Sequence, residues 1–113
     1  MFITPLILKP LGNREWEVAQ TFIVESKLAG IISVPKGFIS DLNSIPRFLW
    51  WASTPADYPE AAVVHDAAYR GFLPRNVADK VYAEILTYQG MDSARVATRY
   101  MALRLFGWHA YGK

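Results

Sequence analysis

Two polar residues, His65 and Asp66, stand side by side in the otherwise apolar segment 61–69, AAVVHDAAY, which reads as part of a helix. A buried polar group that lacks a hydrogen-bond partner costs about 1–3 kcal/mol, so the fold has to bring partners to this segment. The candidate partners in the sequence are Tyr69 one helical turn later, Asp79 in the next apolar segment, and Asp41 upstream. We therefore expect separate parts of the chain to converge on His65.

Proline, glycine and capping residues divide the second half of the chain into three predicted helices. Pro59 suits a first helical turn and Gly71 suits a helix end, which gives a first helix over residues 59–70. The other two predicted helices are 77–89, capped by Asn76, and a third that is capped by Asp92 or Ser93 and ends near Gly107.

The first third of the chain favours β-strands. The predicted strands are 2–8, 16–24 and 31–34, with turns at 9–13, 27–30 and 35–37. A polar loop follows at 38–46, and Pro46 is expected to open a short helical turn. The sequence thus predicts an α+β fold, in which a small N-terminal antiparallel β-sheet is followed by a loop and three α-helices. We expect a single domain over residues 1–113, with a β-rich part at 1–35, a polar loop at 36–57 and a helical part at 58–107.

Composition narrows the classes of function. The chain has no cysteine, which excludes disulfides, thiolate catalysis and cysteine-bound zinc. The first residues do not resemble a signal peptide, and no apolar run reaches the roughly 20 residues that span a bilayer. The net charge of +2 is too small to argue for nucleic-acid binding. The basic residues near the C-terminal end are expected on a solvated helix face; they are Arg95, Arg99, Arg104 and Lys113. His109 is expected on the surface.

His65 and Asp79 are expected to meet in a helical hairpin. The connection 71–75 is short, so the first two helices should lie antiparallel as neighbours. His65 precedes this connection by about as many residues as Asp79 follows it, which places the two at the same level. A carboxylate bonded to one ring nitrogen would fix the tautomer and leave the other nitrogen available. This arrangement suits an oriented general base, with Tyr69 nearby. It equally suits a structural lock, by which we mean a buried hydrogen bond that only holds the two helices together.

A metal site is a second hypothesis for the same cluster. Asp41 and Asp66 are oxygen donors that suit calcium or magnesium, and His65 with both aspartates would suit a catalytic zinc. The chain has no EF-hand, no P-loop and no His-Glu-x-x-His spacing, and it lacks the Gly-x-Ser-x-Gly motif of serine hydrolases. A divalent cation, calcium or zinc, therefore stays an open prediction.

Two motifs resemble a family of short, uncharacterised proteins of tailed phages and prophages. The first is the loop GFISDLNSIPR at 37–47, which includes Ser44 and Arg47, and the second is the helix motif HDAAY at 65–69. A third match is ADKVY at 78–82, and the resemblance extends over about residues 31–107. It implies a phage or prophage origin, and hence a place in the cytoplasm of an infected or lysogenic bacterium or in the virion. It implies no activity.

The helix pair is also locally similar to secreted phospholipase A2. In that family the histidine activates water, the neighbouring aspartate binds calcium, and an aspartate of the second helix orients the histidine. The likeness implies that His65 is the base, Asp66 a calcium ligand and Asp79 the orienting carboxylate. The disulfides and glycine-rich calcium loop of those enzymes have no counterpart here.

Three functions follow as hypotheses. The first is a hydrolase that uses His65 as general base on a cell-envelope substrate, with or without a divalent cation. Trp50 and Trp51 beside the loop would then dock on an interface or line a cleft. The second is a noncatalytic virion (tail) or assembly component, in which the cluster is a structural lock and the partners are phage structural proteins. The third is nucleic-acid binding through the basic residues of the last helix.

Overall fold

The structure, a computed structural model, describes residues 1–12, 15–40, 58–109 and 111. Within these residues the chain forms antiparallel strands in two small sheets followed by three helices, which confirms the α+β prediction. The strands are β1 (Leu8–Gly12), β2 (Glu15–Val18), β3 (Phe22–Ser26), β4 (Gly30–Val34) and β5 (Ile39–Ser40). One sheet has the order β1-β2-β5 and the other is the hairpin β3-β4.

The strand boundaries differ from the prediction in two places. Segment 16–24 was expected to be one strand, yet it divides into β2 and β3, and the chain bends at residues 19–21. The even-numbered side chains Val18 and Phe22 are both buried, so the period-2 pattern continues across the bend without revealing it. The expected turn at 9–13 instead holds most of β1. Pro10 is tolerated there because β1 lies at the edge of its sheet.

Other predictions for this part hold to different degrees. The predicted strand at 2–8 is limited to a bridge between Phe2 and Val24 and the first residue of β1. The strand at 31–34 and the turns on either side of it are confirmed. β5 falls at the start of the predicted loop 36–57. The rest of that loop, with Asp41, Ser44, Arg47, Trp50, Trp51 and the helical turn expected at Pro46, lies outside the described residues.

The helices are α1 (Pro59–Ala67), α2 (Arg75–Tyr88) and α3 (Ser93–Phe106). A π-helical turn, Ala68–Phe72, continues α1, and a 3-10 turn, Gly107–His109, follows α3. Asp92 caps α3 as predicted, because its Oδ2 accepts from the Arg95 backbone N–H at 3.1 Å. The predicted cap Asn76 is wrong: α2 begins at Arg75 and Pro74 takes the cap position, where its fixed φ suits the entry to a helix.

The core lies between the strands and α1. The side chains of Val18, Phe22, Val24 and Val34 meet apolar residues of all three helices. Helix α1 is enclosed on almost every side, since its buried residues are Ala61, Ala62, Val63, Val64, His65 and Ala67. A polar side chain on the buried face of such a helix is shielded from water, so it needs partners within the protein. None of the helices in the described ranges is long and apolar enough to cross a membrane.

A second polar contact joins the hairpin β3-β4 to α2. The Glu84 carboxylate accepts from Ser26 Oγ at 2.6 Å and from the Lys27 backbone N–H at 2.8 Å. The hairpin turn is therefore fixed to α2 at Glu84.

We predict that Gly71→Ala lowers the free energy of unfolding by about 1–2 kcal/mol, because Gly71 has φ of 106° in the reversal between α1 and α2. An added Cβ would meet no atom within 4 Å, so the loss would come from backbone strain alone. Chemical denaturation measures it. Gly71→Asn is the matched control and should lose less, because asparagine tolerates positive φ better. Equal losses in both variants would contradict this origin.

Candidate functional site

The helical hairpin brings His65 and Asp79 together. His65 lies near the end of α1 and Asp79 near the start of α2, and the reversal at Gly71 sets the two helices side by side. The His65 Nε2 atom is 2.8 Å from Asp79 Oδ1. The structure thus places these residues in the contact that the spacing of the sequence predicts, although their chemical role stays a prediction.

Tyr69 is the second partner of Asp79. Its hydroxyl donates a hydrogen bond to Asp79 Oδ1, and its ring lies 4.0 Å from the His65 ring, centroid to centroid. The Tyr111 ring approaches Tyr69 edge-on at 5.3 Å, and the Tyr111 hydroxyl donates to the Leu73 carbonyl at 2.9 Å. Tyr69 is therefore fixed from both sides.

Gly107 lies directly against Tyr69. A Cβ atom at this position would be 3.3 Å from Tyr69 Cζ and would overlap the Tyr69 hydroxyl. Since that hydroxyl is bonded to Asp79, it has little freedom to move away. The end of α3 can approach the site this closely because residue 107 carries no side chain.

Arg104 is the third partner of Asp79, and the sequence analysis missed it. Its Nη1 donates to Asp79 Oδ2 at 2.9 Å, and its side chain is 34% exposed. We expected Arg99 and Arg104 on a solvated face, and this was wrong. Arg99 is 2% exposed and donates from Nη1 to the Tyr82 hydroxyl at 3.1 Å. The need of a buried carboxylate for a cation was visible in the sequence, but the residue that meets it was not.

Burial decides the protonation of this centre. His65 is 1% exposed and Asp79 is 0% exposed. Burial lowers the pKa of His65 below its ordinary value of 6.5, although Asp79 acts to raise it. Burial alone would raise the pKa of Asp79, but hydrogen bonds from His65, Tyr69 and Arg104 keep it below the ordinary 3.8. At neutral pH the centre therefore holds a neutral imidazole and an ionised carboxylate.

The hydrogen positions follow from these charges. An ionised carboxylate only accepts hydrogen bonds, so the His65 Nε2 atom carries the hydrogen and donates it to Asp79. The Nδ1 atom of the neutral ring then has the lone pair. Burial also raises the pKa of Tyr69, so its hydroxyl keeps its proton and acts as a donor. Such an imidazole is able to take a proton from water if water reaches Nδ1.

Asp66 stands apart from these bonds. Its side chain is 20% exposed, and its Oδ1 lies 4.0 Å from Arg70 Nε. Arg70 in turn donates to the Ile39 carbonyl at 3.4 Å and lies over the Phe38 ring, so it connects the end of α1 with β5. Across the ranges that the structure describes, no three histidine or acidic residues form a group that would hold a metal ion. Asp41, the other predicted ligand, lies outside those ranges.

Comparison with known proteins gives one match. A family model described as a protein of unknown function (DUF1353) matches residues 16–103. No curated protein matches the chain, and no solved structure matches it. The matched segment contains β3 to β5, all of β2 except its first residue, and all of α1 and α2, and thus His65, Tyr69 and Asp79, but it ends one residue before Arg104.

We predict that acid lowers the stability of the protein from about pH 6.5 downward. The unfolded histidine takes up a proton near its ordinary pKa of 6.5, whereas the buried His65 does so only at lower pH, so the free energy of unfolding falls as the pH drops through this interval. Because the pKa of Asp79 is also lowered, a second decline begins below about pH 3.8. Thermal unfolding midpoints measured from pH 8 to pH 3 record both declines.

The matched variants are His65→Gln and His109→Gln. Glutamine at 65 keeps a side-chain N–H for Asp79 but does not titrate, so the first decline should flatten. His109→Gln removes the other histidine of the chain and should leave it unchanged. A slope between pH 6.5 and pH 5 that survives in His65→Gln would contradict this assignment.

We predict that Asp79→Asn costs about 3–5 kcal/mol of stability, the usual loss when one partner of a buried ion pair is removed. The amide would turn N–H groups toward donors that now face a carboxylate. Urea denaturation measures the loss. Asp92→Asn is the control, because Asp92 is an exposed cap of α3 and asparagine caps helices equally well. Comparable losses in the two variants would show that the buried hydrogen bonds of Asp79 add no more stability than those of an exposed helix cap.

Proposed function

The chain belongs to the DUF1353 family of proteins of unknown function, and from the buried centre of this member we propose a phage- or prophage-encoded hydrolase of a cell-envelope substrate, with His65 as general base. The observation that carries the proposal is the bond from His65 Nε2 to Asp79 Oδ1 at 2.8 Å. It leaves the lone pair on Nδ1 and holds the ring in one orientation. A general base needs this combination of a free lone pair and a fixed direction.

The reaction would use the two nitrogens of His65 in different ways. Nδ1 takes a proton from water while the water oxygen attacks the carbonyl carbon of an ester or amide. The imidazolium formed in this step is stabilised by the ionised Asp79, and Nδ1 then gives the proton to the leaving group. Because the pKa of His65 is below its ordinary value, the base is ready at neutral pH.

The type of substrate is proposed from resemblance. His65, Tyr69 and Asp79 match the local pattern of secreted phospholipase A2, which favours an ester of an envelope lipid over peptidoglycan. Phage or prophage origin is proposed from the loop and helix motifs, and it makes the bacterial envelope the available target. The site of action would be the host cytoplasm or the virion.

A second candidate function rests on a different observation. His65 and Asp79 are almost fully buried, and Arg104 donates a hydrogen bond to the second oxygen of the Asp79 carboxylate. These contacts suit a noncatalytic virion (tail) or assembly component in which the centre only locks α1 to α2 and α3. Burial also sets a condition on the first proposal, because water and substrate must gain access to Nδ1 during turnover.

We predict that His65→Gln reduces hydrolysis at least about 100-fold while the fold is retained, since a general base typically contributes 10²–10⁴-fold. The assay measures fatty acid released from vesicles of phosphatidylethanolamine and phosphatidylglycerol. Parallel reactions contain calcium, zinc or a chelator, and purified peptidoglycan is tested as the alternative substrate. Circular dichroism of each variant checks the fold.

His109→Gln is the control and should retain full activity. An active His65→Gln protein would contradict the role of His65. A wild-type protein that releases nothing from either substrate under any of these conditions would contradict the hydrolase and favour the lock. Recovery of the protein from purified phage particles would then support the structural component, and its absence from them would contradict it.

A further inference from the structure

We infer that Arg104 is a positioning residue for His65: by bonding Asp79 Oδ2 and balancing its charge, it keeps the imidazole as the neutral tautomer with hydrogen on Nε2. The purpose of this arrangement rests on the proposed function, since a base needs the lone pair on Nδ1. The arrangement itself is a property of the folded protein and is measurable without any substrate.

Both oxygens of Asp79 are in use. Oδ1 accepts from His65 and Tyr69, and Oδ2 accepts from Arg104 at 2.9 Å. Bonds on both oxygens fix the plane of the carboxylate, and the plane of the carboxylate fixes the direction of the His65 ring. Arg104 thus acts on the imidazole through Asp79, with no need to touch it.

Arg104 is itself held in place by α2. The Arg75 Nη2 atom donates to the Leu103 carbonyl at 2.8 Å and to the Arg104 carbonyl at 2.6 Å. The close contact of Gly107 with Tyr69 fixes the next turn of the chain. The backbone that carries the guanidinium therefore has contacts to the site on both sides of residue 104.

Two arginines affect the charge balance around His65: Arg75 acts on the ring directly, and Arg104 acts through the carboxylate to which it is bonded. In the described residues, the titratable and charged groups that face His65 are Asp66 on α1, Tyr69 in the π-helical turn, Arg75, Asp79 and Tyr82 on α2, and Arg104 on α3, with Arg99 behind Tyr82. The tyrosines stay neutral, since burial raises the pKa of both. Arg75 also acts to lower the pKa of His65 through its charge, while its Nη2 atom donates to backbone carbonyls of α3. Asp66 is paired with Arg70.

With Arg104 present, Asp79 has a counter-charge that is bonded to it, and a second proton on His65 would add a net positive charge to a dry site. Without Arg104, the same proton would neutralise an uncompensated carboxylate. Because net charge in a buried site is costly, loss of Arg104 should convert His65 to the imidazolium at higher pH. The lone pair on Nδ1 would then be lost near neutrality.

The test is nitrogen-15 NMR of histidine-labelled protein, which is simple because the chain has only two histidines. In the wild type at pH 7, we expect the His65 ring to give the chemical shifts of the neutral Nε2–H tautomer. In Arg104→Met the titration midpoint of His65 should rise. In Arg104→Lys, which keeps the charge, it should stay close to that of the wild type.

Arg95→Met is the matched control, because it also removes one arginine from α3 but far from Asp79, beside Asp92. Its His65 midpoint should not change. A folded Arg104→Met protein with the wild-type midpoint would overturn the inference. So would a wild-type His65 that is imidazolium or Nδ1–H at pH 7, a result that needs no variant to fold.

A hydrolysis assay separates this inference from the proposed function. If the wild type turns over substrate, the acid limb of the pH–rate profile should move to higher pH in Arg104→Met and return in Arg104→Lys. If the wild type shows no turnover, the hydrolase proposal fails while the NMR result still decides whether Arg104 controls His65.

Discussion

The ionised carboxylate of Asp79, buried among donors from three separate elements, is the interaction on which the arrangement of the helices depends. His65 of α1, Tyr69 of the π-helical turn and Arg104 of α3 all donate to it. A carboxylate in an apolar interior is tolerated only when every oxygen is bonded and its charge is balanced. The four groups therefore form one unit, and the loss of any one changes the environment of the others.

Burial sets the protonation state of His65 in this unit. Helix α1 is enclosed by strands and helices, so His65 is neutral although it touches a carboxylate. Both candidate functions use this fact. A hydrolase needs the neutral ring as a base, and a structural component needs a polar bond that holds helices in one register. They differ only in whether water reaches the second ring nitrogen.

The sequence was sufficient for the local part of the site and insufficient for the long-range part. The contact between His65 and Asp79 follows from helix periodicity and a short connection, which are properties of neighbouring segments. The position of Tyr69 one turn after His65 follows in the same way. Arg104 comes from a third helix, and its approach depends on the packing of α3 against α2, which periodicity alone does not specify. In the same way, Asn76 had the chemistry of a cap, but Pro74 set the backbone two residues earlier.

The contact between Gly107 and Tyr69 links two positions that are distant in sequence. Any side chain at 107 would push against a hydroxyl that is bonded to Asp79. A phenylalanine at 69 would lack that hydroxyl, and it would relieve the overlap while removing one donor from the carboxylate. The constraint therefore runs in one direction: a side chain at 107 requires the loss or displacement of the hydroxyl at 69, whereas residue 69 can lose its hydroxyl while Gly107 is kept.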